Sequence, residues 1–202
     1  MKERSARIKR VTAETQIALA LTIDGAGEAD VRTGLRFFDH MLTLLAKHSL
    51  CDLTVKAKGD LDVDAHHLVE DVGIALGQAF VQALGDKRGI RRYGWALVPM
   101  DETLARCRVA LDFSNRPYLV FTCKDWKRIA NVDLKSFRVG LVKEFLRGFA
   151  SEARCNLHVD VLRGDEPHHV VEAVFKALAK ALDAACQRDP RVKGVPSTKG
   201  KL

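Results

Sequence analysis

The strongest constraint on this chain is that much of it is written twice. The string His66-His67-Leu68-Val69-Glu70 returns 102 positions later as His168-His169-Val170-Val171-Glu172. Beyond each histidine pair the register is strict, Val69, Val72, Leu76 and Ala79 recurring as Val171, Val174, Leu178 and Ala181. Spacing of i, i+3, i+7 marks one buried stripe on a helix. Upstream, Cys51-Asp52-Leu53-Thr54-Val55 aligns with Cys155-Asn156-Leu157-His158-Val159. Both segments alternate as a half-buried strand does, and each reaches its histidines through a polar loop. A chain with this pattern has to fold as two like units.

Further upstream the repeat continues. Residues 37–48 place Phe38, Met41, Leu42 and Leu45 on one helical face, and residues 137–149 do the same with Leu141, Phe145 and Phe149. In the register of the two cysteines, His40 superimposes on Glu144 and His48 on Glu152. β-like stretches run over 16–23, 93–99, 104–112 and 118–122. Gly85-Asp86 ends the first histidine-led helix and Asp189-Pro190 the second. Each half therefore reads as strands, helix, strand, helix, with a first half over 1–92 that includes an N-terminal strand and a second over 93–202. The expected architecture is a duplicated α/β unit. Sheets outside with helices between them, or the reverse layering, both satisfy the pattern.

An apolar share of 47% beside 29% charged residues suffices for a real core. No run reaches the length of a membrane span, and the charged first ten residues lack the apolar stretch of a secretory signal. Five cysteines are scattered without a CxxC, which points to a reducing, cytoplasmic setting. The net charge of +7 sits at the ends: residues 1–10 and 188–202 each hold five basic side chains and one acidic. Nucleic-acid domains carry their charge on a folded face, so a nucleic-acid partner is not expected. The ends read either as solvated tails or as segments that fold over an anionic group such as a phosphate.

Neutral imidazole and carboxylate are the usual ligands of Mn, Fe and Zn. On a helix, residues three and four apart share a face, so either histidine of a pair can join its glutamate at one ion. Neighbouring histidines diverge by about 100° around the axis, which implies two ions or two faces serving adjacent sites. One such string is commonly a solvated helix start; two at equal spacing favour metal binding. A zinc peptidase is excluded by the absence of HExxH and HxxEH. The β-rich centre argues against a ferritin-like bundle, and the scarcity of Trp and Tyr against an RNA-binding module.

Several motifs in order resemble imidazoleglycerol-phosphate dehydratase of histidine biosynthesis: Phe37-Phe38-Asp39-His40-Met41-Leu42, both histidine strings, Pro99-Met100-Asp101-Glu102, Arg116-Pro117-Tyr118 and Pro196-Ser197-Thr198-Lys199-Gly200. The resemblance runs over nearly the whole chain. It implies an α/β fold of the α+β type, an internally duplicated ribosomal-S5-domain-2-like unit with its sheets packed on a central layer of helices. It also implies a hydro-lyase converting D-erythro-imidazole-glycerol phosphate to imidazole-acetol phosphate, dependent on Mn2+, with two ions per subunit. The partner is a small phosphate substrate, and the assembly a homo-oligomer of 24 chains with sites between subunits. Carried over by position, the metal ligands are His40, His66, His67, Glu70, Glu144, His168, His169 and Glu172. Substrate contacts fall on Glu14, His40, His48, His66, Glu70, Arg92, Arg116, Ser197 and Lys199, and the catalytic carboxylates on Glu14, Glu70 and Glu172. Glu14 takes the acid/base role. Two positions depart from the common pattern. Glu144 stands where some relatives have histidine, and a carboxylate suits Mn. Asn115 stands where glycine is usual, and asparagine tolerates a left-handed backbone.

Overall fold

The computed structural model describes residues 3–101 and 108–202. The first sheet holds β1 (Ser5–Val11), β2 (Thr15–Thr22), β3 (Ala29–Arg32) and β4 (Asp52–Gly59), in the order β1-β2-β4-β3. The second holds β5 (Tyr93–Ala96), β6 (Arg108–Asp112), β7 (Tyr118–Cys123) and β8 (Asn156–Val161), in the order β5-β6-β8-β7. Pairing repeats as well: the first two contacts of each sheet are antiparallel and the last is parallel. α1 (Arg36–Ser49) and α2 (His66–Leu84) belong to the first half. The second half has α4 (Leu141–Glu152) and α5 (Pro167–Cys186), with a short α3 (Trp126–Ile129) before them.

The layering that periodicity left open is sheets outside, helices between. α2 lies on β1 and β2, α5 on β5 and β6, and the helices cross between halves, α2 against α4 and α1 against α5. The reason lies in burial. Every residue of the two matching stripes, Val69 to Ala79 and Val171 to Ala181, is at most 1% exposed. Helices so apolar need cover on two sides, whereas strands such as β2 and β8 alternate and need it on one. An aromatic layer fills the middle: Phe38 stacks on Phe137 at 5.7 Å, and Phe145 on Phe175 at 5.1 Å.

The two crossings are not equally close. A Cβ on Gly73 would stand 2.4 Å from the Phe145 carbonyl oxygen, and one on Gly77 2.6 Å from that of Phe149. On the facing helix, a Cβ on Gly148 would lie 2.8 Å from the Glu70 oxygen. Glycine on both faces lets α2 and α4 meet backbone to backbone.

Several sequence expectations need correction. The helix expected from residue 137 begins at Leu141; Phe137 is instead buried in a turn, exchanging backbone hydrogen bonds with Leu134. The second histidine-led helix stops at Cys186, before Asp189-Pro190, because Gln187 turns extended and its carbonyl accepts from the Arg91 amide. The strand expected over 93–99 ends at Ala96. The basic N-terminal segment is no solvated tail: residues 5–11 are the edge strand β1, and Arg4 is buried on Asp24 and the Cys186 carbonyl. Residues 104–107 of the third expected strand, with Glu102 of its preceding motif, lie outside the described residues.

Candidate metal centres

Both histidine strings open their helices as the spacing predicts, and they are anchored alike. The His66 amide donates to Asp64 Oδ1 at 2.7 Å, and the His168 amide to the Glu166 carboxylate at 3.2 Å. Asp64 and Glu166 are themselves 102 residues apart. A carboxylate at a helix start satisfies an orphan amide and complements the helix dipole. Within each pair the rings diverge, with centroids 6.1 Å apart for His66 and His67 and 5.9 Å for His168 and His169.

At the α1/α5 crossing, His40, His168 and Glu172 converge, each offering one ligand atom within 4.8 Å of the others. His168 Nε2 lies 3.2 Å from Glu172 Oε2 and His40 Nε2 3.8 Å from it. The other oxygen, Oε1, accepts from Lys176 Nζ at 2.6 Å. Burial pushes the Glu172 carboxyl up, but Lys176, His168 and His40 together hold it below the usual carboxylate range. Phe37 meets His168 edge-on at 5.1 Å and fixes the ring. His48, about two helical turns beyond His40 on α1, is half-buried; its proton affinity is lowered by burial and then by Lys176 and Lys180.

The α2/α4 crossing carries the aligned residues. His66 Nε2 lies 3.6 Å from Glu70 Oε2, and His66 and Glu144 line one cleft of about 880 Å³ with Asp64 and Arg138. Glu144 accepts from Arg147 Nη1 at 2.5 Å. Among the described residues only the α1/α5 trio is already drawn together for a cation. Donors of this type, two imidazoles and a carboxylate converging on one point, fit a divalent Mn, Fe or Zn ion.

The second histidine of each pair faces elsewhere. His67 Nδ1 pairs with Asp60 Oδ2 at 3.0 Å, and its Nε2 looks toward Glu14 Oε1 at 3.8 Å. Asp60, chiefly through that hydrogen bond, raises the His67 pKa. A carboxylate on one ring nitrogen orients the other for ligation. Asp60 was invisible to periodicity because it lies in a loop. Glu14 sits in a tight turn held by Thr12, whose Oγ1 accepts from the amides of Glu14 and Thr15. Thr15 Oγ1 in turn donates to the buried Asp71 at 2.5 Å, and Arg10 donates to the other Asp71 oxygen at 2.8 Å. His169 Nε2 lies 3.8 Å from Asp101 Oδ2.

The phosphate candidates gather at the far end of α5. Arg92 is 9% exposed, donates twice to Asp112 (2.6 and 3.1 Å) and once to the Pro196 carbonyl (2.8 Å), and lies over the Tyr93 ring. Arg116 is exposed, 3.8 Å from the same Asp112. Arg92 thus pins the segment bearing half-buried Ser197 and exposed Lys199. It also has a counterpart: Arg4 precedes β1 as Arg92 precedes β5, and Arg4 grips Asp24 as Arg92 grips Asp112. Asn115 takes φ +58°, the left-handed backbone expected of it, and its side chain accepts from buried Lys87 at 2.6 Å.

The comparisons with known proteins agree with one another. The family described as imidazoleglycerol-phosphate dehydratase matches residues 33–182. A protein of that name from Citrifermentans bemidjiense is 57% identical, covering 98% of this chain and 99% of its own. The one from Acetivibrio thermocellus is 53% identical over 99% of this chain and 100% of its own. The crystal structure of the Staphylococcus aureus imidazoleglycerol-phosphate dehydratase superimposes with a TM-score of 0.80 at 35% identity, covering 92% of this chain and 99% of that one. A Pyrococcus furiosus structure, in complex with (S)-C348, gives 0.80 and 35% over 96% and 100%.

Proposed function

The chain belongs to the imidazoleglycerol-phosphate dehydratase family, and on that premise we propose how its residues share the work. The activity is that of a hydro-lyase in histidine biosynthesis, removing water from D-erythro-imidazole-glycerol phosphate to give imidazole-acetol phosphate. His40, His168 and Glu172 hold one Mn2+, and His66, Glu70 and Glu144 a second, two per chain. Manganese bound there would supply Lewis acidity to the ring, easing departure of a carbon-bound proton and of the neighbouring hydroxyl that leaves as water. Glu14 moves that proton; its carboxylate is exposed, held by the Thr12 turn and aimed at the His67 side of the site. Arg116, Ser197 and Lys199 receive the phosphate, with Arg92 setting the tail, because a planar guanidinium and a lysine charge suit phosphate oxygens. His48 lines the approach. The halves 1–92 and 93–202 act as one duplicated domain.

The convergence of His40 with His168 and Glu172, each offering one ligand atom to a common point, carries the metal reading. A second observation supports sites shared between chains. The Arg92 amide bonds to the Ala185 carbonyl near the end of α5, whereas His168 opens that helix. Seventeen residues of helix separate them by roughly 25 Å, more than a five-membered ring, three carbons and a phosphate can bridge. For the α1/α5 centre this separation supports a substrate held between metal residues of one copy and phosphate residues of another. His67 and His169, diverging from their own clusters, complete neighbouring centres in a homo-oligomer expected to hold 24 chains. No helix among the described residues is long and apolar enough to cross a membrane; the cytoplasm is the proposed setting.

Metal analysis with light scattering tests this. About two manganese per chain in a particle of many chains is expected, and a metal-free single chain with full activity overturns it. Mixing inactive His40→Ala and Arg116→Ala proteins during reassembly should restore part of the activity; none returning would put each site within one chain.

A further inference from the structure

The two centres occupy aligned positions, yet the residues around them are not alike. In the α1/α5 centre the single carboxylate, Glu172, has one oxygen already taken by Lys176 Nζ at 2.6 Å. At the aligned position α2 has Ile74, so Glu70 has no such cation one turn on. The α2/α4 centre has two carboxylates, Glu70 and Glu144; Arg147 pairs with Glu144, while Arg138 in the same cleft faces Asp133. One turn further out the contrast repeats: Lys180 lies close enough to act on His48 in one crossing, while Gln78 donates to Glu152 at 3.0 Å in the other. Lys180 aligns with Gln78 and His48 with Glu152. Accessibility differs in the same sense, the Glu172 side chain being 9% exposed and Glu70 37%.

We propose that Lys176 makes the two centres unequal: by holding one Glu172 oxygen and matching its charge, it weakens the α1/α5 centre for a divalent cation, so the α2/α4 centre fills first and empties last. This rests on the two-cation reading given above. The physics is direct. A cation is drawn by the surrounding negative charge, and a lysine a few ångströms away in a partly buried site opposes it. With Oε1 bound to Lys176, Glu172 offers the cation one oxygen instead of two. The weaker centre is already assembled geometrically, so what it lacks is charge and not shape. An unmatched charge on a bound cation also leaves it a stronger pull on an electron-rich ligand, which places the exchangeable ion at the more electrophilic of the two positions.

The test uses the purified holoprotein equilibrated against buffers of decreasing free Mn2+, with retained metal counted by elemental analysis. Wild type should lose its manganese in two steps separated by about tenfold or more in free Mn2+. Lys176→Met, which keeps the stem and removes the charge, should move only the weaker step, by about tenfold toward the stronger. Lys176→Gln should do the same and serves if the first variant fails to assemble. Loss in one step in wild type, or variants that leave both steps in place, overturns the inequality while leaving the two-cation reading intact. Protein that retains no manganese at any free concentration overturns both.

Discussion

The α1/α5 and α2/α4 crossings descend from the same pattern and have settled into different solutions. One packs side chain against side chain: Phe175 and Ala179 stand where its counterpart has Gly73 and Gly77, and the Phe37 edge steadies His168. Its two imidazoles and carboxylate are drawn together, and the carboxylate is buried and matched by a lysine. The other brings backbones into contact through glycine and opens beside a cleft of about 880 Å³. Its carboxylates are more numerous and more exposed. Duplication preserved where the histidine–glutamate strings are carried, since both open a helix at the same register. It did not preserve how tightly the helices meet or what charge surrounds each ligand set.

The largest effects should come from the ligands. His168→Ala and His66→Ala should each remove about one manganese per chain and cut turnover by more than about 10³-fold, as several kcal/mol of Lewis-acid stabilisation disappear. Equal losses measured by metal analysis and steady-state rates would mean both centres serve the chemistry; an activity loss confined to one would break the equivalence. Glu14→Gln should leave metal content unchanged and slow turnover by about 10²–10⁴-fold. Full activity there would remove Glu14 from proton transfer.

Smaller effects test the packing. Gly77→Ala places a methyl against the Phe149 carbonyl and should cost about 1–3 kcal/mol in urea denaturation. The α1/α5 counterpart, Ala179, already carries that methyl, so Ala179→Gly should lose less, about 1 kcal/mol from helix propensity. Comparable losses would show that the two crossings are packed alike after all. The smallest effect concerns the arginine that opens the first half. Arg4, mainly through its hydrogen bond, holds the Asp24 carboxyl below the usual carboxylate range. A depressed folded pKa gives stability that is complete above the unfolded value near 3.9 and is lost as pH falls through the folded value. Because Asp24 is half exposed, Arg4→Met should lose less than about 1 kcal/mol of this at pH 7, the difference narrowing toward pH 3 in thermal melts.

Much of this was legible without a structure. The element order, both helix starts and the buried stripes follow from periodicity, which is local. The pairing of Glu172 with Lys176 was also readable as an i, i+4 pair, although the string itself drew attention away from it. Asp60 and Asp71 gave no signal: each matters only through what lies across the fold from it, His67 for one and Thr15 with Arg10 for the other. The basic first segment reads equally as a tail from its charge, because an edge strand with one solvated face can be rich in Arg and Lys and still alternate.

By itself, then, the sequence determined that there are two like units, which residues each helix buries and which side chains can ligate a cation. Those properties are carried by neighbours three, four or two residues apart. The tertiary structure alone decided that the helices lie inside, that α1 meets α5 and α2 meets α4, and that Arg92 spends its donors on Asp112 and Pro196. It also decided that the two ligand sets differ in charge and enclosure. Those outcomes depend on distances between segments a hundred residues apart, which packing settles and local spacing does not encode.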